Sequence, residues 1–376
     1  MSALPVLTDY AALFLQDIPL MDVRAPVEFK QGAFPSATNV PLLDDRQREL
    51  IGTEYKRAGQ DAAIALGLQL ATPTIREQRQ QAWQNYIAAH PQGALYCFRG
   101  GLRSRTTQQW LAEQGIVYPL IKGGYKAMRR FLLETLEQAC EHQPFICVSG
   151  RTGSGKTDLL QRLPHTIDLE ALACHRGSTF GHTVFPQPGQ IDFENALAIA
   201  LLIHRHNYPG APLFIEDESH LIGRIALPTL FQSALKRSPR IVLEDSNESR
   251  EQRVVRDYIV GQRNAFAEQF AVEAKERFAA FVLGNLDRIK RRLGGVRHQQ
   301  LRDEWSHALS EFETTGKVDG FLPGIRSLLA DYYDPMYDYQ FSLRDSPVIC
   351  RGNADSLVMW ASGQALHLSS MPSSRQ

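Results

Sequence analysis

The stretch "FICVSGRTGSGKTDLL", Phe145–Leu160, decides the fold of the larger part of this chain. Its apolar start predicts a buried strand, a glycine-rich loop follows, and the pattern after the loop predicts a helix. The loop, Gly150–Thr157, matches G-x-x-x-x-G-K-[ST] in the strand-to-helix context that a phosphate-binding loop requires. Glycines let backbone N–H groups converge on phosphate oxygens, and the helix N-terminus adds its positive end. We therefore expect a P-loop domain of the α/β class.

Two side chains of this loop have distinct expected roles. Lys156 would reach the terminal phosphate of a ligand, and the Thr157 hydroxyl would ligate magnesium. The expected phosphate-binding residues are Gly150, Gly153, Ser154, Gly155, Lys156 and Thr157.

A carboxylate that helps to hold metal or water is expected where a neighbouring strand ends. The segment "FIEDES" offers Glu216 and Asp217, of which we prefer Asp217. Glu244 and Asp245 in "VLEDSNES" are the alternatives, and either pair also fits a solvated strand end. Apart from magnesium at Thr157 and Asp217, no metal site is expected.

A second loop lies upstream, in "ALYCFRGGLRSRTTQQWLAEQG", Ala94–Gly115. Cys97 ends an apolar run just before a helix begins, where backbone N–H groups lower the pKa of a thiol. Arg99 and Arg103 would add positive charge and bind an oxyanion. A lone cysteine is otherwise an inert buried thiol, but this loop favours a reactive one. Five residues separate Cys97 from Arg103, which is the spacing of cysteine-dependent phosphatases.

Apolar runs and helical stretches alternate on both sides of "EHQP", Glu141–Pro144. Such alternation predicts parallel sheets with helices on their faces. We predict one domain over residues 1–138 and a second over residues 144–376. The region from Glu248 to about Ala330 is helical in pattern, so the second domain should carry a helical C-terminal region.

Composition excludes some classes of protein. The net charge is zero, so any nucleic-acid partner must be met by a local patch. Five scattered cysteines without a CxxC pair argue against a disulfide framework and a structural zinc site. The sequence shows neither a signal peptide nor an apolar run of transmembrane length, so we expect a cytoplasmic protein without a membrane partner.

The first domain resembles the rhodanese family of sulfurtransferases. The resemblance rests on "MDVRAPVEFKQGAFPSATNVP" (Met21–Pro41), "CFRGGLRS" and "LIKGGYKAM". It implies a parallel-sheet domain whose loop cysteine carries a transferable sulfur as a persulfide, a role that falls on Cys97. The usual rhodanese loop has four residues between the cysteine and the closing arginine, whereas this loop has five. A pocket of that size suits a tetrahedral, phosphate-bearing donor.

The whole chain resembles the bacterial tRNA 2-selenouridine synthase family. The matching motifs are "CFRGGLRS", "GRTGSGKT", "HRGSTFG" (His175–Gly181) and "FIEDES". The resemblance implies replacement of sulfur by selenium at C2 of the wobble 2-thiouridine (position 34) of tRNA. Selenophosphate is the implied donor, and geranyl diphosphate is the implied source of an S-geranylated intermediate. Candidate substrate-binding residues are His175, Arg176, Gly177 and Ser178, although a structural turn fits this segment nearly as well.

The chemistry that the resemblance implies suggests a separate role for the P-loop and for the Cys97 loop. A thiocarbonyl sulfur is a poor leaving group, and alkylation makes it a thioether that departs when C2 is attacked. The P-loop would hold the diphosphate of the geranyl donor. Our hypothesis at this stage is that Cys97 attacks selenium, becomes a perselenide and delivers selenium to C2.

Binding of tRNA requires basic surface, which "RIKRRLGGVRHQQLR" (Arg288–Arg302) offers without any acidic residue. The candidate tRNA-binding residues are Arg288, Lys290, Arg291, Arg292 and Arg297. Tyrosines in "DYYDPMYDYQ" would stack an unpaired base or pack a helix end. A solvated helix face is the alternative for the basic segment.

Two other functions stay open on the sequence. One is a cysteine-dependent phosphatase or sulfurtransferase coupled to an ATP-binding P-loop domain. The other is a non-catalytic module in which the P-loop switches conformation and the first domain is a scaffold.

Overall fold

A computed structural model describes residues 4–369 of the chain, with side chains up to residue 363. The strands are β1 (Val6–Leu7), β2 (Leu20–Asp22), β3 (Ala37–Asn39), β4 (Ala94–Tyr96), β5 (Leu120–Ile121), β6 (Phe145–Gly150), β7 (Thr166–Ile167), β8 (Leu213–Glu216), β9 (Leu221–Ile222), β10 (Ile225–Ala226), β11 (Arg240–Leu243) and β12 (Val348–Gly352).

The α-helices are α1 (Tyr10–Leu15), α2 (Pro26–Phe29), α3 (Asp45–Leu70), α4 (Pro73–Ala89), α5 (Leu102–Ala112), α6 (Gly124–His142), α7 (Lys156–Leu160), α8 (Leu169–Leu172), α9 (Gln190–Asn207), α10 (Thr229–Arg237), α11 (Asn247–Val254), α12 (Gly261–Phe270), α13 (Ala274–Arg288), α14 (Lys290–Leu293), α15 (Gly295–Thr315), α16 (Leu322–Leu328), α17 (Asp334–Ser342) and α18 (Ala354–Ser369). Two π-helical segments, Val255–Val260 and Leu329–Tyr333, and two 3-10 segments, Ala271–Glu273 and Asp319–Phe321, join some of them.

The chain divides into two compact units. Unit 1 comprises residues up to Ala139 together with Gly189–His206, and unit 2 comprises Cys140–Pro188 and the residues from Asn207 onward. These units differ from the predicted domain ranges, 1–138 and 144–376, in the placement of α9. The ranges themselves stay predictions.

Unit 1 is built on a five-stranded parallel sheet of order β1-β5-β4-β2-β3. Strand β4 is central and fully buried, so its carboxyl end lies where ligands of open α/β sheets bind. A buried ion pair holds the neighbouring strand end, because the Arg24 guanidinium lies 2.6 Å from the Asp22 carboxylate and both side chains are at most 2% exposed. The Asn39 amide donates to the carbonyls of both residues at 3.0 and 2.9 Å. The "DVR" and "N" positions of the rhodanese-like motif therefore form one clamp.

Unit 2 contains a five-stranded parallel sheet of order β12-β11-β6-β8-β7 and the antiparallel pair β9 and β10. The strand that leads into the P-loop, β6, is central and buried along its whole length. A helical core beyond the sheet is formed by α12, α13, α15 and α16, whose buried residues include Phe278, Trp305 and Ile325. Parallel sheets covered by helices confirm the α/β class.

The helical region predicted from Glu248 to about Ala330 is followed by a strand that the sequence analysis did not predict. Helices fill most of residues 247–342, but the chain then returns to the sheet as β12, which pairs with β11 in parallel. Its exposed edge position leaves "VICRG" without the continuous apolar run that marks a buried strand. No described helix is both long and apolar enough to cross a membrane.

Candidate functional site

Cys97 follows the last residue of β4 and is 3% exposed. The segment after β5 closes its loop, since the Tyr125 N–H donates to the Cys97 carbonyl at 2.9 Å. Gly124 has a φ of +58°, and a Cβ there would lie 2.1 Å from the Cys97 carbonyl oxygen. Only glycine permits both the backbone conformation and this approach. The second glycine of "LIKGGYKAM" is thus required by the shape of the cysteine loop.

Backbone N–H groups of this loop are available to an anion. Within residues 4–369, the N–H groups of Arg99, Gly100 and Gly101 donate no hydrogen bond. They lie directly before α5, whose first turn adds further N–H groups without helical partners. The Arg99 side chain is exposed, and its guanidinium carbon lies 6.0 Å from the centre of the Phe98 ring. The loop therefore has the donor set of an oxyanion site.

The Arg103 side chain is held in an ion pair with Glu28. Its guanidinium binds the Glu28 carboxylate through both terminal nitrogens, the longer contact being 3.1 Å. Burial alone would lower the pKa of Arg103, but Glu28 and the charge of Cys97 together raise it. The predicted oxyanion role of Arg103 must operate from this paired position. Glu28, which positions the arginine, was missed by the sequence analysis, although it lies within the "RAPVEF" segment of the rhodanese-like motif.

The P-loop of unit 2 has the geometry of a phosphate cradle. Gly153 and Gly155 have φ values of +80° and +91°, which favour glycine. The Lys156 ammonium donates to the Gly150 carbonyl at 3.1 Å and thus folds back over the loop. The Ser154 hydroxyl is buried and, among the described residues, has no hydrogen-bond partner.

Two arginines of α11 brace the loop from behind. The Arg250 Nε donates to the Thr152 carbonyl at 3.0 Å, and the Arg253 Nη1 donates to the Gly153 carbonyl at 2.6 Å. Residues three apart share a helix face, so "SREQR" places both guanidinium groups against one loop. Sequence analysis missed them because arginines at this spacing are also typical of an exposed helix.

The predicted carboxylate partner of the P-loop, Asp217, has both of its oxygens bound by protein side chains. The Ser149 hydroxyl donates to one of its oxygens, and Arg344 forms an ion pair with the other. Glu216 is fully buried and accepts from the Glu170 N–H at 3.0 Å. Burial raises the pKa of Glu216 well above its ordinary value, and the neighbouring Glu170 adds to the rise. In this structure, the contacts of Asp217 and Glu216 thus stabilise the end of β8 and the residue that follows it.

A different carboxylate lies beside the predicted magnesium ligand. The Glu170 Oε2, on α8, is 3.5 Å from the Thr157 hydroxyl. Burial raises the pKa of the nearby Glu218 to about 8, with Glu170 adding to the rise and Lys156 opposing it. Hydroxyl and carboxylate oxygens of this kind suit a magnesium ion whose other ligands are substrate phosphates and water. In the described part of the chain, no three His, Cys, Asp or Glu side chains are arranged to hold a metal by themselves.

The "HRGS" segment packs against these carboxylates. A Cβ on Gly177 would lie 2.4 Å from a Glu218 oxygen and 2.8 Å from a Glu170 oxygen. Arg176 pairs with Asp257 at 3.0 Å, and the Ser178 hydroxyl lies 3.3 Å from the Tyr258 hydroxyl. This candidate substrate segment therefore lies next to Glu170 and Glu218, the carboxylates near the P-loop.

His175 is the buried member of this segment. Its ring lies edge-on to that of His182, with centroids 4.7 Å apart. Burial, His182 and Arg288 lower the pKa of His175 to about 4. The imidazole is therefore neutral near pH 7, and a structural role for it is consistent with this environment.

An apolar cavity of about 40 Å³ adjoins the P-loop. Thr152 of the loop and Ser178 of the "HRGS" segment line it, together with aromatic and aliphatic side chains of the helical core. Both π-helical segments contribute, through Tyr258 and Tyr333. Such segments are frequent at functional sites because they redirect side chains. The other lining residues are Phe180, Val254, Ile259, Phe281, Val282, Asn285, Trp305, Ile325, Leu328 and Leu329.

The predicted tRNA-binding residues differ in whether their side chains already have protein partners. Lys290 and Arg291 are exposed and make no ion pair with any residue that the structure describes. Arg292 donates to the Tyr332 hydroxyl at 2.8 Å. Arg297 forms an ion pair with Asp331. Arg288, the fifth candidate, donates to the Asn285 side chain near His175. Arg302, the last residue of the basic segment, lies 3.2 Å from the Asp287 carboxylate.

Comparison with known proteins places the chain in a family. Residues 143–367 match the family model of the tRNA 2-selenouridine synthase AAA domain. The tRNA 2-selenouridine synthase of Marinobacter nauticus is 49% identical over 362 residues, covering 96% of this chain and 98% of that protein. The one of Hahella chejuensis is 50% identical over 347 residues, covering 92% and 91%. The crystal structure of the N-terminal domain of a putative ATP/GTP binding protein from Clostridium difficile 630 is 30% identical, covering 34% of this chain and 98% of that one, with a TM-score of 0.29. Because relatives of this similarity align along nearly their whole length, the chain belongs to the tRNA 2-selenouridine synthase family.

Proposed function

We propose that this chain replaces sulfur by selenium at C2 of the wobble 2-thiouridine of tRNA, with selenophosphate as the donor. Its close relatives carry the name tRNA 2-selenouridine synthase over more than nine-tenths of this chain. The observation that carries the mechanism is the apolar cavity beside the phosphate loop. It indicates a ligand that joins a phosphate group to an apolar chain, as geranyl diphosphate does.

The first domain is rhodanese-like in this proposal. Its support is the central parallel strand β4, the loop at the carboxyl end of that strand, and the clamp of Asp22, Arg24 and Asn39. The P-loop domain would extend from residue 144, close to where the family match begins.

The geranyl chain would lie in the apolar cavity while its diphosphate occupies the P-loop. Each CH₂ group transferred from water to such a site contributes about 0.8 kcal/mol. The cavity of about 40 Å³ is smaller than a ten-carbon chain, so its lining must move on binding. Phe180 and Phe281 are only partly buried and border the cavity, which makes them the side chains we expect to move.

In the first step, the thiocarbonyl sulfur attacks C1 of the geranyl group. The sulfur–carbon bond forms, the carbon–oxygen bond breaks, and diphosphate leaves with the electron pair while the base loses its N3 proton. Lys156 and the loop N–H groups would bind the charge that develops on diphosphate. Thr157 and Glu170 would hold magnesium, which supplies further charge neutralisation when bound.

In the second step, the C2–selenium bond forms, the C2–sulfur bond breaks so that geranyl thiol leaves, and the P–Se bond of the donor is cleaved. The anionic donor would be bound at the Cys97 loop by its unpaired N–H groups and by Arg99. The exposed cations Lys290, Arg291 and Arg292 would meet tRNA phosphates, a contact that supplies affinity that falls as salt increases.

Mass analysis of tRNA nucleosides tests the proposal. The protein is incubated with 2-thiouridine tRNA and selenophosphate, with and without geranyl diphosphate. We expect S-geranyl-2-thiouridine with geranyl diphosphate alone and 2-selenouridine when both donors are present. If selenium entered equally well without geranyl diphosphate, the intermediate would be disproved.

Two variants separate the sites. Lys156→Ala should lower geranylation, while selenium entry into tRNA geranylated beforehand should persist. Cys97→Ser should block selenium entry and leave geranylation measurable. The control is Lys317→Ala, which removes an exposed lysine of unit 2 that lies outside the P-loop. Loss of both steps in either variant would contradict the division of labour.

A further inference from the structure

The oxidation level of selenium restricts what Cys97 can do. Selenium is at the selenide level both in selenophosphate and in the C=Se group of the product. Attack of the Cys97 sulfur on selenium would expel phosphorus as phosphite and leave a perselenide, which must be reduced before C=Se can form. Attack on phosphorus changes no oxidation level. The perselenide predicted from the rhodanese resemblance therefore requires a reductant that the reaction does not supply.

The loop has the features of a site where a cysteine attacks phosphorus. Five residues separate Cys97 from Arg103, which leaves room for a tetrahedral phosphoryl group. The unpaired N–H groups of Arg99, Gly100 and Gly101 match its equatorial oxygens in number. Glu28 holds Arg103 in place beside the loop. In phosphoryl transfer, positioning and charge stabilisation of this kind provide most of the catalysis.

A buried hydroxyl next to Arg103 supports the same chemistry. Ser104 is fully buried, and its Oγ has no hydrogen-bond partner among the described residues. An unsatisfied buried hydroxyl is costly, and it lies in the first turn of α5, directly after the loop. A hydroxyl at that place is suited to donate to a thiolate. A thiolate is what must leave when a phosphorylated cysteine is hydrolysed.

We propose that Cys97 cleaves the P–Se bond of selenophosphate by attacking phosphorus, which adds a phosphatase-type activity to the loop. The inference rests on the proposed function for its donor. The S–P bond forms, the P–Se bond breaks, and selenium departs with the electron pair as hydrogen selenide. This nucleophile attacks C2 of the geranylated base and displaces geranyl thiol. Water then attacks the S-phosphocysteine, releasing orthophosphate and restoring the Cys97 thiolate, which Ser104 stabilises.

Phosphorus NMR tests the bond that breaks. The full chain is mixed with a limiting amount of selenophosphate in the presence of geranylated tRNA, and the products are identified at each time point. We expect orthophosphate, and acid-free proteolysis with mass spectrometry should find phosphate on the Cys97 peptide early in the reaction. Phosphite as the product, or selenium on that peptide, would overturn the proposal.

Three variants distinguish the enzymatic reaction from spontaneous hydrolysis of selenophosphate. Cys97→Ser should reduce selenophosphate consumption to the rate without protein, whereas Cys350→Ser, in β12, should not change it. Ser104→Ala should slow release of the thiolate, so the phosphorylated peptide accumulates at least severalfold over the wild-type amount. A merely structural role of Ser104 would lower that amount together with the rate, and this outcome would refute its assignment.

These results are separable from those on the proposed function. If the wild-type protein makes 2-selenouridine but yields phosphite, the inference fails and the function stands. If it makes no 2-selenouridine from geranylated tRNA, the function fails.

Discussion

Substitution of Gly124 by alanine should damage the Cys97 loop from outside it. The added Cβ would lie 2.1 Å from the Cys97 carbonyl oxygen and 2.6 Å from the Gly100 nitrogen. Ordinary van der Waals contact begins near 3.4 Å, and both atoms belong to backbone, so the loop must move by about 1 Å. A displacement of about 1 Å at reacting groups lowers a rate by about 10²-fold. The φ of +58° adds about 1 kcal/mol of strain to the folded state.

Gly115 provides the matched control for this prediction. Its φ is +77°, and a Cβ there would meet nothing within 4 Å. Gly115→Ala should therefore carry the same backbone strain without displacing the loop. Urea unfolding and selenium transfer to geranylated tRNA are measured for both variants. We expect both variants to lose the stability that the positive φ costs, Gly124→Ala to lose more because of its backbone clash, and a rate loss of about 10²-fold only for Gly124→Ala. Equal rates would refute the reasoning.

Three further substitutions test other parts of the structure. Glu218→Gln should stabilise the protein by up to a few kcal/mol at pH 8.5 and little at pH 4, in thermal unfolding at each pH. The folded protein holds the Glu218 proton up to pH about 8 whereas the unfolded chain loses it near the ordinary carboxyl pKa of 4.5. An equal effect at both pH values would contradict the raised pKa. Arg24→Met should lower the free energy of unfolding by about 3–5 kcal/mol because it leaves the buried Asp22 carboxylate unpaired, and recovery by Asp22→Asn in the same chain checks the cause. Arg253→Met should weaken geranyl diphosphate binding about tenfold or more in calorimetry, since the Gly153 carbonyl loses its donor. Unchanged affinity for geranyl diphosphate would show that the P-loop does not depend on the hydrogen bond from Arg253.

The features that the sequence predicted well are local. A phosphate loop needs a strand, glycines with positive φ and a helix in direct succession, so Gly153, Gly155 and Lys156 are recognisable from neighbours alone. The same holds for Cys97, which follows its apolar strand without a break. Strand β6 begins at Phe145, where the apolar run begins, and is buried along its whole length.

The parts that the sequence did not predict depend on distant contacts. Glu170 reaches Thr157 from a four-residue helix whose position no periodicity reveals. Asp217 forms an ion pair with Arg344, which lies 127 positions away in the chain, and no local pattern reveals that contact. Helices α3 and α4 have mostly exposed residues, so they lack the apolar stripe on which helix prediction depends.

The placement of α9 bears on how a fragment that begins near residue 140 should behave. Asn195 of this helix donates to the Ala33 carbonyl at 2.7 Å, and the Ala33 N–H donates to Asp192 at 2.7 Å. Phe193 and Leu197 on the same helix are fully buried. Because these partners belong to unit 1, the chain leaves unit 2 after Pro188 and re-enters it at Asn207. A fragment that begins after residue 140 thus retains α9 but lacks the residues that cover it. The helix would expose apolar surface, and loss of P-loop activity in such a fragment would follow from that exposure alone. Point variants of the full chain are therefore the sound way to assign each chemical step to its loop.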